Sequence, residues 1–385
     1  MIMPKVNRRQ FLKCSLATTG GLLLPQILPG ESLLNSDRDA FASPAQSGLS
    51  HVEAKYYKKL EHKEIECELC PRKCKVGDRE RGYCGCRENQ SGIYYTLVHS
   101  YACSANVDPI EKKPLFHFLP GTGAFSIATA GCNLNCKFCQ NWEISQVRPE
   151  QVEARYLSPE DVAGYAEQSG SRSIAYTYSE PTVFYEYMLD CAAAGKSKGI
   201  KSVVITAGYI SHDPLMELIR EVDAIKVDFK GFTEEYYKKI CQGQLKPVMD
   251  TLVDLAKSKI WHEIVYLVVP TLNDNFNDIR AMCKWMVKDL GKDMPIHFTQ
   301  FHPMYLLKNL PVTPVSTLDK AREIAMEEGM NFVYVGNVPG HKGENTYCPV
   351  CKKGIIGRNG YTITEMNLKD GKCKFCGKVI PGVWS

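Results

Sequence analysis

The residues that decide the fold are Gly131-Cys132-Asn133-Leu134-Asn135-Cys136-Lys137-Phe138-Cys139-Gln140-Asn141-Trp142, in which three cysteines are separated by three and then by two residues. Four thiolates would complete the coordination of a metal centre, whereas three leave one iron of a [4Fe–4S] cluster open to another ligand. The run follows apolar residues 124–128, which predict a strand, so the cysteines should lie on a loop at the carboxyl end of that strand. Barrel and open-sheet enzymes place their chemistry at this end of the strands.

The same loop, with Gly131 before the first cysteine and Phe138 before the last, resembles the cluster loop of the radical S-adenosylmethionine (radical SAM) superfamily. The resemblance implies that Cys132, Cys136 and Cys139 hold a [4Fe–4S] cluster. It also implies that S-adenosylmethionine binds the open iron and is cleaved reductively to methionine and a 5′-deoxyadenosyl radical. The alternatives are a zinc knuckle or three buried thiols, but zinc knuckles usually come as paired Cys-x2-Cys units.

Composition is that of a globular protein of 385 residues, with 44% hydrophobic and 23% charged residues. The formal net charge of +4 is too small to indicate a nucleic-acid-binding protein. No apolar run reaches the roughly 18 residues that a transmembrane helix needs. Most of the seventeen cysteines fall in three clusters with short spacings, which favours metal ligation over a disulfide framework.

From residue 124 onward, short apolar segments alternate with amphipathic ones, which predicts strands and helices in turn. This order indicates right-handed crossovers and a parallel sheet, hence an α/β fold. A helix should begin at Ser158-Pro159-Glu160-Asp161, where a capping residue precedes proline. The resemblance makes the expected fold a partial, TIM-like (β/α)6 barrel. The strands are predicted at residues 124–130, 173–178, 202–206, 224–228, 263–269, 296–301 and 332–334.

Polar residues at the predicted strand ends are the candidate cofactor-binding residues. Glu180, with Thr182 nearby, lies where the family receives the amino group of S-adenosylmethionine, and a carboxylate suits an ammonium. Gly208 would allow close backbone approach, whereas Ala207 stands where related enzymes have asparagine and receives no role. The remaining candidates are Asp228 and Lys230, which share one strand face with Lys226, then Asn273 near the adenosine, and, as weaker substrate-side candidates, His297, Gln300 and His302.

Two further cysteine groups flank the predicted barrel. Cys67, Cys70, Cys74 and Cys84 lie among glycine, proline and charged residues that need a metal to become ordered, with Cys86 spare. Zinc and a second iron–sulfur cluster both fit this spacing, and free thiols are the alternative. Near the carboxyl terminus, two Cys-x2-Cys units predict a zinc-ribbon-like tail, although a single iron would use the same ligands: Cys348, Cys351, Cys373 and Cys376.

Several motifs extend the resemblance over residues 67–384: Cys67-x2-Cys-Pro-Arg-x-Cys, Asp108-Pro109-Ile110-Glu111-Lys112-Lys113-Pro114, Val335-Gly336-Asn337 and Ile380-Pro381-Gly382-Val383-Trp384. Together they resemble the radical SAM member of the AmmeMemoRadiSam system, a family similar to pyruvate formate-lyase activating enzymes. The resemblance implies Memo-like and Ammecr-like partner proteins and an electron donor of the flavodoxin or ferredoxin type. The substrate stays open. The alternatives are a glycyl-radical activating enzyme acting on a protein partner, or a non-catalytic iron–sulfur or zinc scaffold.

The amino terminus resembles a twin-arginine export signal, because Arg8-Arg9-Gln10-Phe11-Leu12-Lys13 precedes a weakly apolar stretch and a small-residue site at residues 40–42. It predicts a periplasmic or membrane-retained protein, and a basic tail on a cytoplasmic protein is the alternative. The predicted segments are therefore a signal at 1–42, a cysteine-rich region at 43–118, the core barrel at 119–340 and the four-cysteine tail at 341–385.

Overall fold

An eight-stranded sheet organises residues 48–385, which are the part of the chain that the computed structural model describes. The predicted export signal lies outside these residues. The strands follow one another across the sheet in chain order, and seven of them are parallel while the first is antiparallel to the second. They are β1 (Ser104–Pro109), β2 (Gly123–Ala128), β3 (Ser173–Tyr176), β4 (Lys201–Thr206), β5 (Ala224–Asp228), β6 (Trp261–Val268), β7 (Ile296–Gln300) and β8 (Val333–Gly336).

Each connection between successive parallel strands carries a helix of ten or more residues, which confirms the predicted α/β alternation. The helices are α1 (Pro159–Gln168), α2 (Tyr185–Ser197), α3 (His212–Glu221), α4 (Leu245–Lys257), α5 (Phe276–Asp289) and α6 (Val315–Glu327). No helix within residues 48–385 combines the length and the apolar character that crossing a membrane requires.

Local sequence explains these elements. Strands β3 and β4 are buried on both faces, as expected for parallel strands covered by helices. Helix α1 begins as predicted, because the Ser158 hydroxyl accepts a hydrogen bond from the Asp161 amide at 3.1 Å and the Asp161 carboxylate accepts one from the Ser158 amide. Strand β1 was not predicted from the sequence, because only two of its six residues are buried, Ala105 and Asp108, and they do not alternate.

Small antiparallel sheets make up the cysteine-rich region before β1. A buried ion pair at 2.5 Å between Arg87 and Glu186 of α2 fastens this region to the barrel helices. The short strands here are Val52–Glu53, Ile93–Thr96 and Arg87–Gln90 in one sheet and Tyr57–Lys59, Ile65–Cys67 and Lys75–Val76 in another, while Tyr101–Ala102 pairs with Arg155–Tyr156.

The tail packs against the amino-terminal end of the sheet. Phe116 and Tyr334 share one buried cluster with Cys348 and Ile356 of the tail, and the Arg358 guanidinium donates to the Phe116 carbonyl at 2.8 Å. The division into four segments stays a prediction, but the tail and the sheet have a common core. The tail strands are Thr346–Tyr347, Gly354–Asn359, Thr362–Met366, Leu368–Lys369 and Lys372–Cys373.

Candidate active site

A cavity of about 390 Å³ lies at the carboxyl ends of the parallel strands, a volume within the range of small-molecule sites. Side chains from β4 to β7 and from the loops after β2, β3 and β8 all line it, so the sheet curves around one space. The lining residues that carry charge or a thiol are Cys132, Cys136, Cys139, Glu180, Lys112, Lys113, Lys226, Asp228 and Lys230.

The three cysteines of the predicted cluster loop all face this cavity, and Gly131 fixes where the loop begins. Gly131 has φ of +97°, and a Cβ atom there would lie 1.9 Å from the Cys86 sulfur and 2.8 Å from the Cys84 carbonyl oxygen. Only glycine fits this position, because any side chain would collide with the cysteine-rich region. The glycine before Cys132 therefore brings that region against the loop.

Backbone contacts hold the loop from the other side. The Asn135 and Lys137 amides donate to the carbonyls of Cys241 and Ile240, each at 3.0 Å. These acceptors belong to a short π-helical segment, Tyr237–Cys241, whose end also brings the buried Cys241 thiol to Cys136. The hydrogen bond from Cys241 lowers the pKa of Cys136, so the pair favours a thiolate at Cys136, which is the form that binds a metal.

Glu180 lies at the cavity wall with its carboxylate held in place by neighbouring groups. Its Oε1 atom accepts hydrogen bonds from the Thr182 amide and hydroxyl and from the Thr206 hydroxyl, at 3.1, 2.7 and 2.6 Å. The Oε2 atom accepts one from the Ala207 amide at 2.8 Å. An ionised carboxylate has about four acceptor positions, so Oε2 keeps one for a cationic ligand. Glu180 thus holds its carboxylate in a fixed orientation at the cavity that the three thiols line.

Three charged residues of β5 and its end form a second polar wall. The Lys226 ammonium donates to the Asp228 carboxylate, and the Lys230 ammonium lies 3.8 Å from its other oxygen. Burial alone would raise the pKa of Asp228, but the two lysines outweigh it and lower that pKa. Burial would lower the pKa of Lys230, but Asp228 and the Cys136 thiol raise it, so this cation stays charged in the cavity.

Three predicted cofactor-binding residues do not line the cavity. Thr182 orients Glu180, as described above. Gly208 has φ of +69° and a Cβ there would lie 2.9 Å from Val227, so its small size serves packing against β5. The Asn273 amide group donates to the carbonyls of Lys230 and Leu267 at 2.8 Å, and its oxygen accepts from the Val269 amide at 2.6 Å.

The weaker candidates on β7 and just after it also lie outside the cavity. His297 is buried near the amino-terminal end of β7, where its Nε2 atom lies 2.7 Å from a Glu263 carboxylate oxygen. Gln300 donates to the Thr313 carbonyl, and His302 is exposed. Thr299, between them, is the β7 residue that lines the cavity.

Sequence reasoning missed one buried ion pair in the cavity wall. The Lys113 ammonium lies 2.6 Å from the Asp108 carboxylate and 2.5 Å from the Ser126 hydroxyl, and the Tyr178 hydroxyl also donates to Asp108. Burial lowers the pKa of Lys113 to about 8, against the opposing effect of Asp108. Both residues belong to the run 108–114, for which the sequence predicts no place in the site. The sequence feature that could have indicated this ion pair is the group of three charged residues between Pro109 and Pro114.

The tail cysteines form a compact group in which the four sulfurs all lie within 4.8 Å of one another. The Cys348 and Cys376 sulfurs are 3.5 Å apart, and those of Cys351 and Cys373 are 3.7 Å apart. Tetrahedral bonds of about 2.3 Å to one zinc ion would separate the sulfurs by roughly 3.8 Å. The group is therefore suited to a single metal ion. The amino-terminal thiols of Cys67, Cys70, Cys74 and Cys84 line a separate small cavity.

Comparison with known proteins gives a consistent assignment. The family model of the Radical SAM superfamily matches residues 126–286. An uncharacterized protein of Methanocaldococcus jannaschii is 44% identical over 330 residues, which cover 85% of this chain and 98% of that protein. The pyruvate formate-lyase-activating enzyme of Clostridium pasteurianum is 22% identical over 51% of this chain and 86% of its own length. The (2S)-3-sulfopropanediol dehydratase activating enzyme of Klebsiella oxytoca is 24% identical over 52% and 65%.

The residues present suit the cofactors of this family. Three thiols on one loop face the cavity, which suits a [4Fe–4S] cluster with one open iron. The Glu180 carboxylate in the same cavity has a free acceptor position, which suits the ammonium of an amino-acid ligand. The matched residues 126–286 contain the whole cluster loop, Glu180 and Lys230. Both the site and the similarity to its relatives show that this chain belongs to the radical SAM superfamily.

Proposed function

We propose that this protein is an enzyme that takes a hydrogen atom from a substrate held in the cavity at the carboxyl ends of β2 to β8. The observation that carries the proposal is that Cys132, Cys136 and Cys139 face the same cavity as the Glu180 carboxylate. When bound, the cluster and S-adenosylmethionine supply a 5′-deoxyadenosyl radical by reductive cleavage.

The chain's own residues would bind and orient these groups. Glu180 would accept the ammonium of S-adenosylmethionine at its Oε2 atom, because its other oxygen is already filled by three donors. Thr182 and Thr206 would hold the carboxylate in that orientation. Lys230 would offset the negative charge of the thiolates, since its raised pKa keeps it a cation beside Cys136.

Asn273 and Gly208 would act on the site indirectly. Asn273 fixes the Lys230 carbonyl and the end of β6, so it would position the Lys230 segment and would not contact the adenosine itself. Gly208 allows the Glu180-binding loop after β4 to pack on Val227. The predicted roles of these residues thus become positioning roles.

A second candidate function is activation of a glycyl-radical enzyme, in which the substrate is a backbone glycine of a protein partner. Its support is the similarity to two relatives that are themselves activating enzymes. The two candidates differ in what receives the radical. Incubation with a partner protein should produce a glycyl-radical EPR signal only if the activating function is correct.

The wider assignments are proposals of the same kind. The motifs of residues 67–384 support membership of the AmmeMemoRadiSam system, with Memo-like and Ammecr-like proteins as partners and a flavodoxin- or ferredoxin-type electron donor. The compact tail supports one zinc ion at its four thiols. The twin-arginine motif supports export, with the cytoplasm as the alternative location.

Binding of S-adenosylmethionine to the open iron can be tested by spectroscopy. The protein, reconstituted anaerobically with iron and sulfide and then reduced, should show a cluster EPR signal that changes when S-adenosylmethionine is added. In Cys136→Ala this responsive signal should be absent. The control is Cys283→Ala, which alters a buried cysteine of α5 and should leave the response intact. A wild-type protein without any responsive signal would contradict the proposal and favour a non-catalytic scaffold.

A further inference from the structure

A second cavity lies directly behind the cluster loop and is lined by four thiols of the cysteine-rich region, those of Cys67, Cys70, Cys74 and Cys84. The loop forms the wall between the two cavities. Cys132 and Leu134 line the active-site cavity, whereas Asn133 between them lines the thiol cavity. In the same way, Glu180 lines the active-site cavity and Thr182 lines the thiol cavity.

A hairpin brings the first three thiols to this place. Its strands, Ile65–Cys67 and Lys75–Val76, are antiparallel, and the Cys67 amide donates to the Cys74 carbonyl at 2.9 Å. The turn between them is closed by the Lys73 amide on the Cys70 carbonyl at 3.1 Å. The backbone itself therefore gathers these three cysteines, and Cys84 enters from the following segment.

The fifth cysteine of the region, Cys86, makes contacts outside the thiol cavity. Cys86 is fully buried, and its sulfur lies 2.9 Å from the Ala130 carbonyl oxygen and 3.2 Å from the Cys84 carbonyl oxygen, while its thiol also contacts that of Cys84. It does not line the thiol cavity. Cys86 instead joins the cysteine-rich region to the residues just before Cys132, which leaves four thiols for a ligand.

Two arginines line the same cavity and would offset part of the negative charge of four thiolates. The Arg87 guanidinium is only 1% exposed and has a single carboxylate partner, Glu186. Arg72 donates to the Asn133 carbonyl at 2.5 Å. Four uncompensated thiolates would be costly to bury, so cations at this cavity suit an anionic metal centre.

The tail cysteines are gathered more compactly than the other two cysteine groups, which bears on whether each group suits a single ion or a cluster. Within residues 48–385, the tail cysteines form the group of donors in which all atoms lie within 4.8 Å, and the four amino-terminal thiols do not form such a group. The three cysteines of the cluster loop do not form one either. A single zinc ion needs its sulfurs roughly 3.8 Å apart, whereas the several irons of a cluster hold theirs further apart.

We propose that Cys67, Cys70, Cys74 and Cys84 bind a second iron–sulfur cluster, separated from the active-site cluster by the loop that carries Cys132 to Cys139. All four of its cysteine ligands come from the protein, so no iron is left open and it does not bind S-adenosylmethionine. The two arginines at its cavity serve as its charge partners. This inference does not depend on the proposed function, because it concerns a different set of ligands.

The test removes the first cluster and asks what remains. The full chain carrying Cys132→Ala, Cys136→Ala and Cys139→Ala is reconstituted anaerobically with iron and sulfide. We expect about four irons and four acid-labile sulfides per chain to remain, as for a [4Fe–4S] cluster. On reduction the protein should show an EPR signal that S-adenosylmethionine does not change. Labile sulfide matters here, because a single iron at the tail would contribute none.

Two further variants assign the remaining cluster to its ligands. Adding Cys70→Ala and Cys74→Ala to the triple variant should reduce labile sulfide to background, whereas adding Cys283→Ala should leave it unchanged. Circular dichroism checks that both variants fold. A triple variant that retains zinc but no labile sulfide would overturn the proposal, as would a variant that keeps its sulfide after Cys70 and Cys74 are replaced. If the Cys70/Cys74 variant fails to fold, Cys351→Ala and Cys376→Ala are added to the triple variant instead, since labile sulfide that survives these changes is not held by the tail, and its loss would overturn the proposal.

Discussion

At the scale of single residues, the account depends on how closely the cluster loop fits its neighbours. Gly131→Ala should displace the loop, since the added Cβ would lie 1.9 Å from the Cys86 sulfur at a backbone conformation with φ of +97°. We expect a loss of stability of about 1–3 kcal/mol, as for overpacked sites, and loss of the EPR signal that responds to S-adenosylmethionine. Thermal unfolding and EPR would measure both.

The matched control is Gly164→Ala within α1, where a Cβ would meet nothing within 4 Å. Alanine there should be neutral or slightly stabilising, because glycine costs about 1 kcal/mol in a helix. If Gly131→Ala behaves like this control, the cysteine-rich region does not contact the loop as described.

Glu180 provides a second test at this scale. Glu180→Gln removes the charge that would face the ammonium of S-adenosylmethionine while keeping the side chain's size. A charged hydrogen bond is worth about 1.5–3 kcal/mol, so the dissociation constant should rise by roughly one to two orders of magnitude, with the cluster intact. Isothermal titration on the reconstituted protein measures it. Thr182→Val, which removes one donor to Glu180, should have a smaller effect. An unchanged affinity in Glu180→Gln would exclude this role.

Residue patterns were sufficient to place the loop, Glu180 and Asp228 at one cavity, because these residues lie at strand ends that meet at one edge of a parallel sheet, while their binding roles stay predictions. They were not sufficient for contacts between distant segments. Lys113 reaches the cavity through β1, an edge strand whose sequence has little apolar character. His297 looked like a cavity residue, but alternation along a strand does not tell which end of the barrel a buried histidine serves.

At the scale of elements, the junction between the sheet and the tail rests on buried ionisable groups. The His117 Nδ1 atom lies 2.7 Å from the Pro381 carbonyl, which can only accept, so this nitrogen carries the proton. The other ring nitrogen, Nε2, accepts from the Tyr334 hydroxyl at 2.5 Å. Burial lowers the pKa of His117 from 6.5 to about 4, although Glu263 opposes this effect, so the folded protein holds the imidazole neutral.

This arrangement predicts acid sensitivity. The unfolded chain takes up a proton on His117 below pH 6.5, whereas the folded chain does so only near pH 4, so stability should fall as pH decreases through that window. Between pH 6.5 and 5 the loss attributable to His117 should be on the order of 2 kcal/mol. Denaturant unfolding of the wild type and of His117→Phe across this range would measure it. A slope equal in both proteins would contradict the assignment.

The alternation of strands and helices was predicted from the sequence, and the predicted boundaries mostly agree with the structure to within two residues. Strand β5 has the predicted bounds of residues 224–228. The tail's position was not predicted, because Phe116 and Arg358, which are in contact, are 242 residues apart in the sequence. Spacing identified the four tail thiols as a group, but nothing local indicates the surface on which they pack.

At the scale of the whole molecule, the location of the protein stays a prediction from residues 1–42. Arg8 and Arg9 should direct export of the folded protein with its cofactors already bound. In cell fractionation, the native chain should appear in the periplasm or membrane, and the Arg8→Lys, Arg9→Lys double variant should stay in the cytoplasm. Both forms found uncut in the cytoplasm would show that the segment is only a basic tail.

The central claim is that this barrel cleaves S-adenosylmethionine at the loop of Cys132, Cys136 and Cys139. The most direct measurement is the amount of 5′-deoxyadenosine formed when the reconstituted full chain is incubated anaerobically with S-adenosylmethionine and a low-potential reductant. The account predicts that 5′-deoxyadenosine and methionine accumulate together in the wild type and that Cys136→Ala forms neither above background. Formation of 5′-deoxyadenosine by Cys136→Ala at the wild-type rate would contradict it.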